Sequence, residues 1–206
     1  MALDIQTRDQ VKEIVLLLMT RPITEEISMR VGNHKGFEHL EIVDGEWVGL
    51  YAEEGQSMGG EEHGNIEANL LTSLKVFVKQ HQLGRIYPGD TDFVLEGVPE
   101  KIIYRCRPDV SFVRQENVRK TKGYSFIVPD LAVEIISPRE EAGEIREKLD
   151  AYLRYGVKQV WHIYPTLQIL IIYLPDGTSR TYKSEESVSG GDILVGFSLK
   201  VSELFE

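Results

Sequence analysis

Three polar residues between Arg107 and Gly156 lie in surroundings where their types and spacing could support chemistry on a phosphate. Asp109 and Glu134 each fall in a segment of apolar, β-branched residues that predicts a strand, where an unpaired charge is costly to bury. Lys148 follows in a segment whose apolar residues have helical spacing. Two carboxylates and a lysine suit a divalent metal ion together with a polarised phosphate or water. The three residues therefore indicate a metal-assisted site, for which the rest of the chain serves as scaffold.

The elements around the second acid predict how it is positioned. Residues 131–136 form an apolar run interrupted by one glutamate, which is typical of a central strand buried on both faces. The Ser137-Pro138 pair then places a capping residue before a proline, which predicts a helix start, and Gly156 ends that helix. A further strand is predicted at 157–164. The order strand, helix, strand implies a parallel crossover flanked by antiparallel strands, that is, an α/β fold with a mixed sheet and flanking helices.

Other elements are predicted from periodicity and turn residues. An Asp44-Gly45 pair between two short apolar runs predicts a tight hairpin, and the Gly-rich, acidic residues 53–64 predict a loop. Helices are predicted at 9–19, from Thr24 and at 63–81, and strands at 40–43, 46–51, within 85–96, 101–113, 167–174, 179–182 and 193–199.

Three further polar residues are candidates for auxiliary roles. Glu41 is out of phase with Leu40 and Ile42 in the first hairpin strand, so it points to the opposite face. His63 and Glu67 are four residues apart and lie beside the apolar stripe of the 63–81 helix. They could assist the site, or they could be a histidine at the border of the core and a favourable charge near a helix N-terminus.

The charge of the chain argues against tight non-specific binding to nucleic acid. The formal net charge is −10 at pH 7, whereas proteins that bind nucleic acid usually carry positive charge. Residues 105–122 nevertheless contain six basic residues and two acids, which indicates either a solvated loop or a phosphate-facing patch. Five of the six basic residues are candidate nucleic-acid contacts: Arg107, Arg114, Arg119, Lys120 and Lys122. The sixth is Arg105.

Length and composition indicate a globular protein. The chain has 206 residues, of which 42% are hydrophobic and 27% charged. We expect a single domain over residues 1–206, with a helical extension at 1–36 and a core at 37–206. The sequence has no apolar run of about 20 residues and no signal-peptide pattern, so a cytoplasmic location without membrane association is expected. One cysteine excludes an internal disulfide and a Cys-rich zinc site.

An ordered set of motifs resembles a known family. The chain contains Glu41-Ile42-Val43-Asp44-Gly45-Glu46, a histidine that opens a helix, Arg107-Pro108-Asp109-Val110-Ser111, residues 129–138 (PDLAVEIISP), Lys148, Tyr152, Gly156-Val157 and Trp161-His162-Ile163-Tyr164-Pro165. In this order they resemble the Uma-two family of restriction-endonuclease-like proteins, within the PD-(D/E)XK nuclease superfamily. The resemblance covers about residues 37–205.

The resemblance implies roles for individual residues. Asp109 and Glu134 correspond to the two acids of the superfamily motif. The usual lysine would fall at position 136, which is Ile136 here, so Lys148 corresponds to a lysine that has moved to the following helix. Glu144 stands where the family often has an aspartate, and Glu41 and His63 match positions that the family tends to keep near the site.

The activity implied by the resemblance is hydrolysis of phosphodiester bonds in DNA. Asp109, Glu134 and the carbonyl of Ile135 would hold Mg²⁺ or Mn²⁺, while Lys148 would orient water or balance developing charge. His63 or Glu67 could fix a water molecule on the metal.

Two other interpretations remain open at this point. The chain could be a non-catalytic nucleic-acid or protein interaction module on a nuclease-like scaffold, since a fold does not fix a function. The acids could also pair with Lys148 in a purely structural ion network. The apolar helix at 9–19 and exposed strand edges make a homodimer plausible.

Overall fold

The structure, a computed structural model, describes residues 5–34, 37, 40–48, 60–138 and 140–206, with residues 5–9 as backbone alone. The chain divides into two compact units. The first unit contains the described part of Met1–Met58 together with Asp92–Cys106 and Lys122–Phe126, and the second unit contains the described part of Gly59–Thr91, Arg107–Thr121 and Ile127–Glu206. The expectation of a single domain over 1–206 remains a prediction.

The first unit contains two helices and a four-stranded antiparallel sheet. Its elements are α1 (Ile5–Met19), α2 (Glu25–Gly32), β1 (Glu41–Val43), β2 (Glu46–Val48), β4 (Phe93–Val98) and β5 (Lys101–Cys106). The strand order in the sheet is β2-β1-β5-β4. The apolar core includes Ile42 and Ile102, which are fully buried, and Tyr124 from the 122–126 segment.

The local signals in this unit act as the sequence predicts. Asp44 and Gly45 both have positive φ, 52° and 78°, and they connect β1 to β2. The side chain of Thr24 accepts a hydrogen bond of 3.2 Å from the backbone NH of Ile27 and so caps α2. Residues 49–51 of the predicted second strand and 53–59 of the predicted loop lie outside the described residues.

The second unit contains two helices and two sheets. Its elements are α3 (Glu61–Gln80), β3 (Gly84–Pro88), β6 (Val110–Arg114), β7 (Leu131–Ile135), α4 (Ala142–Tyr155), β8 (Gln159–Tyr164), β9 (Ile169–Tyr173), β10 (Ser179–Lys183), β11 (Ser187–Gly190) and β12 (Leu194–Lys200). The six-stranded mixed sheet has the order β10-β9-β8-β7-β6-β3, and β11 and β12 form a two-stranded antiparallel sheet. Short 3₁₀ helices follow β8 (Pro165–Leu167) and β12 (Val201–Leu204).

The predicted parallel crossover is confirmed. β7 and β8 pair in parallel through α4, and their outer neighbours β6 and β9 are antiparallel to them. All five residues of β7 are buried, as expected for a central strand. Gly156 ends α4 with φ of 99°, a left-handed conformation that glycine adopts without strain.

The two faces of this sheet carry different residues. Val133 and Trp161 belong to the apolar cluster that also contains the α3 stripe of Ile66, Leu70, Leu74 and Val78. Because side chains alternate along a strand, Glu134 and its registered partner His162 point to the opposite face. The apolar face therefore forms the core, and the other face carries the buried polar groups.

The two strands predicted within 85–96 are present as β3 and β4, which belong to different sheets. Two expectations are wrong in detail. Residues 101–113 are not one strand but β5 and β6, which belong to different sheets, because Pro108 has no NH for a ladder and Arg107-Pro108-Asp109 carries the chain from one unit to the other. The helix expected at Ser137-Pro138 begins at Ala142, since the NH of Glu140 and the carbonyl of Ser137 close a turn first.

No helix among the described residues is long and apolar enough to cross a membrane.

Candidate functional site

Asp109 lies directly before β6 and is held by two donors in the second unit. The backbone NH of Ile135 donates to Asp109 Oδ2 over 2.7 Å. The Nε2 atom of His63, in the first turn of α3, lies 3.1 Å from Asp109 Oδ1. The side chains of Asp109 and His63 are 22% and 23% exposed, so water or a ligand can reach them.

Glu134 lies in β7 and receives two donors from α4. Lys148 Nζ donates to Glu134 Oε2 over 3.0 Å, and the Tyr152 hydroxyl donates to Oε1 over 2.5 Å. Glu134 is 6% exposed, whereas the side chain of Lys148 is 25% exposed. The ammonium of Lys148 thus compensates a buried carboxylate from the side that is open to solvent.

The strand register explains why the two acids are neighbours. Val110 of β6 pairs with Val133 of β7, so the next position outward places Asp109 beside Glu134 across the antiparallel pair. The contact between Asp109 and the NH of Ile135 agrees with this register. The sequence signal that identified the acids, one charge in each apolar segment, thus corresponds to adjacent positions on one face of the sheet.

His63 has a raised pKa because of its surroundings. Its contact with Asp109 favours the protonated ring most strongly, burial opposes protonation, and the negative charges of Asp109, Glu67 and Glu140 favour it. Glu67 Oε1 accepts a 3.2 Å hydrogen bond from the NH of Gly89. A Cβ at Gly89 would come within 3.3 Å of the backbone of Asp109, so the glycine allows this loop to approach the acid closely.

Sequence reasoning gives no site role to three residues that lie here. Tyr152 is named only among the motifs of the family resemblance, although its four-residue spacing from Lys148 is a usable signal. Glu140 has no such signal, and its charge acts on both His63 and Tyr164.

His162, in β8, is the third. It is 2% exposed, and its Nδ1 atom has no hydrogen-bond partner among the described residues. Burial, with a smaller effect of the Lys148 charge, lowers its pKa to about 4. No local pattern could have indicated its position beside Glu134, because that depends on the register of β7 and β8.

The candidate nucleic-acid contacts are spread over different surroundings. Arg114 Nε lies 3.3 Å from Asp130 Oδ1, and Arg119 donates to two nearby backbone carbonyls. Lys120 and Lys122 are exposed and fall in different units. Arg105, one of the six basic residues of the segment, is buried against Asp92 and cannot contribute to a phosphate-facing patch.

One predicted nucleic-acid contact, Arg107, and one predicted auxiliary residue, Glu41, fall in different units. Arg107, partly exposed, precedes β6 in the second unit, and Glu41 lies in β1 of the first unit, opposite Val48. Their roles remain predictions.

The donor chemistry of the site fits a hard divalent cation. Asp109 and Glu134 supply carboxylate oxygens, and each oxygen that accepts one hydrogen bond keeps further lone-pair capacity. Within the described ranges, no group of three or more His, Cys, Asp or Glu residues could hold a metal by itself. Two carboxylates completed by water and substrate oxygens are an arrangement that Mg²⁺ accepts.

Comparisons with known proteins agree on the fold. The family model Uma2, described as "Putative restriction endonuclease", matches residues 37–202. A crystal structure from Anabaena variabilis ATCC 29413, described as a putative nuclease belonging to DUF820, superposes with a TM-score of 0.71 at 18% sequence identity, covering 89% of this chain and 98% of that chain. No curated protein sequence matches significantly. The fold is therefore the mixed α/β fold of restriction-endonuclease-like proteins.

Proposed function

The chain belongs to the Uma2 family, and we propose that it hydrolyses phosphodiester bonds in DNA with Mg²⁺ or Mn²⁺ as cofactor. The observation that carries this proposal is the adjacency of Asp109 and Glu134 on one sheet face, with Lys148 held on Glu134. A structural ion pair alone would need one acid and one cation. The second acid, which is accessible and held by donors that are not lysine or arginine, is what a site for a cation and a phosphate requires.

Asp109, Glu134 and the carbonyl of Ile135 would hold the cation, which when bound supplies a Lewis acid for a phosphoryl oxygen. Glu134 fixes the ammonium of Lys148 at the solvent-open side of the site. From there the ammonium stabilises negative charge that develops on the phosphate in the transition state. A lysine anchored in advance costs little reorganisation when that charge forms.

The groups around Asp109 hold the other half of the site. The NH of Ile135 and the ring of His63 fix the two oxygens of the carboxylate. Glu67 orders the Gly89 loop beside Asp109.

The test combines metal binding and cleavage. We expect wild-type protein to bind Mn²⁺ in calorimetry and to cleave DNA with Mg²⁺ or Mn²⁺. Asp109→Asn should remove metal binding, and Lys148→Met should lower kcat by about 10²–10³-fold with metal binding retained. Matched controls are Asp150→Asn and Lys158→Met, whose side chains are exposed outside the site.

Full cleavage by Asp109→Asn and Lys148→Met would exclude this assignment of the site. A folded wild-type protein that neither binds Mn²⁺ at millimolar concentration nor cleaves DNA would exclude the activity itself.

One observation favours the alternative, a non-catalytic nucleic-acid or protein interaction module. Several arginines of the basic segment are engaged within the protein, notably Arg105 with Asp92 and Arg114 with Asp130, and the net charge is −10. In that case partner binding would depend on exposed residues such as Lys120 and would survive Asp109→Asn.

The expected homodimer also remains a proposal. Its basis is α1, which exposes Val11, Val15, Leu16 and Met19.

A further inference from the structure

The hydroxyl of Tyr152 contacts Glu134, one of the two acids proposed to hold the cation. It donates to Glu134 Oε1 over 2.5 Å, at the short end for a hydroxyl donating to a carboxylate. Lys148 donates to the other oxygen of the same carboxylate, Oε2. Tyr152 and Lys148 are four residues apart, so both project from the same face of α4.

The two donors to Glu134 differ in how firmly their positions are fixed. Tyr152 is fully buried, 0% exposed, so its ring is held by packing and its hydroxyl has a fixed position. Lys148 is a flexible side chain that is 25% exposed, and an ammonium can donate in several directions. Rotation of a glutamate carboxylate about its last torsion is soft. Of these two donors, the tyrosine is therefore the one that can define the plane of the Glu134 carboxylate.

We propose that Tyr152 is a positioning residue for phosphodiester cleavage, and that its hydroxyl fixes the Glu134 carboxylate and, through Oε2, the ammonium of Lys148. This inference rests on the proposed function. Tyr152 acts through Glu134 and does not touch the substrate. Its effect follows from the general rule that donors behind a ligating carboxylate orient the ligand and contribute to metal affinity and activity.

The decisive variant is Tyr152→Phe, which removes the hydroxyl and keeps the ring. We expect kcat to fall by about 10–100-fold, with KM for DNA nearly unchanged, and the Kd for Mn²⁺ measured without DNA to rise by about tenfold. The matched control is Tyr155→Phe on the same helix, where the ring lies under the guanidinium of Arg154. That variant should match wild type in kcat and in Mn²⁺ affinity.

A double-mutant cycle separates positioning from packing. If Tyr152 acts through Glu134, Tyr152→Phe should produce no further loss of kcat in a Glu134→Gln background. If the kcat losses of the two single variants multiply in the double variant, the inference is overturned. It is also overturned by a Tyr152→Phe protein with a lowered melting temperature but wild-type kcat and Mn²⁺ affinity, because a residue that only fills space gives that result.

The wild-type measurements distinguish the two levels of failure. If wild type binds Mn²⁺ and cleaves DNA while Tyr152→Phe is equal to it, only the positioning role fails. If wild type does neither, the proposed function fails and the inference fails with it.

Discussion

Two buried ion pairs, one in each unit, are made from the same chemical parts but differ in access. In the first unit, Arg105 donates to Asp92 over 2.6 Å, and the hydroxyl of Tyr124 lies 3.4 Å from the same guanidinium nitrogen. In the second unit, Glu134 accepts from Lys148 and from the hydroxyl of Tyr152. Each centre thus combines a cation, a carboxylate and a tyrosine hydroxyl.

The Arg105 centre is closed. The side chains of Arg105 and Asp92 are 3% and 11% exposed. Arg105 also donates to the carbonyl of Leu40, and Tyr124 donates to Ser28 over 3.0 Å. These contacts connect segments of the first unit that are distant along the chain, so the Arg105 centre has a structural role.

The Glu134 centre is open on one side. Lys148, Asp109 and His63 remain 22–25% exposed while Glu134 is buried. Burial of a charge therefore does not by itself identify a functional site. A second, accessible acid beside the buried one separates the candidate site from the structural pair.

The largest effect on stability is expected at the closed centre. Arg105→Met removes a buried guanidinium at similar volume, and so takes one donor from the Asp92 carboxylate, which is 11% exposed, and one from the Leu40 carbonyl. We expect the free energy of unfolding to fall by about 3–5 kcal/mol, measured by urea denaturation. Arg146→Met, at an exposed pair with Asp150, is the control and should produce no measurable change. Equal stabilities of the two variants would contradict the comparison.

The next effect concerns pH and His162. Burial lowers the pKa of His162 from 6.5 to about 4. Between these two pH values, His162 is therefore protonated in the unfolded chain but neutral in the folded protein. Stability is therefore lost as pH falls from about 6.5 to about 4, by roughly 3 kcal/mol in total. We expect His162→Gln to flatten this part of the pH dependence in urea unfolding measured at pH 7, 5.5 and 4.5.

His63 acts in the opposite direction. Its pKa is raised by Asp109, so its contribution is complete below the unfolded pKa and disappears as pH rises through the folded pKa. The His162 prediction would be contradicted by parallel profiles of unfolding free energy against pH for wild type and His162→Gln. Such profiles would show that His162 is not shielded from protons.

The smallest stability effect is expected at the open centre. In Lys148→Met, Glu134 keeps the hydrogen bond from Tyr152, and solvent enters on the side where Lys148 was exposed. The free energy of unfolding should fall by about 1–3 kcal/mol, less than for Arg105→Met in the same urea experiment. A larger loss for Lys148→Met than for Arg105→Met would reverse the assignment of structural and functional centres.

The sequence was informative where the signal is local. The β7–α4–β8 segment was predicted because an apolar run, a helical stripe and Gly156 each act over a few residues. The position of Lys148 on a helix was predicted for the same reason. The neighbouring positions of Asp109 and Glu134 depend in addition on the register of β6 against β7, which neither segment contains by itself.

The rest depends on contacts between distant segments. Arg105 appeared to belong to a basic surface segment, but Asp92 and Leu40 bury it. Asp109 was assigned to a long strand, but Pro108 interrupts pairing before it. Among the residues that the structure describes, the Nδ1 atom of His162 has no hydrogen-bond partner. This feature and the hydroxyl contact of Tyr152 follow from register and packing, which no single-segment pattern contains.

The cation, carboxylate and tyrosine are similarly spaced along the chain in the two centres. Arg105 is 13 residues from Asp92 and 19 from Tyr124, and Lys148 and Tyr152 follow Glu134 by 14 and 18 residues. The Arg105 centre is tied in addition to Leu40, 65 residues from Arg105, and to Ser28, 96 residues from Tyr124. Because the entropy cost of closing a loop grows with the logarithm of its length, the 96-residue closure costs roughly 1.5 kcal/mol more than the 18-residue closure. The Glu134 centre can therefore form during folding of one strand–helix segment, whereas the Arg105 centre is complete only when distant parts of the chain have come together.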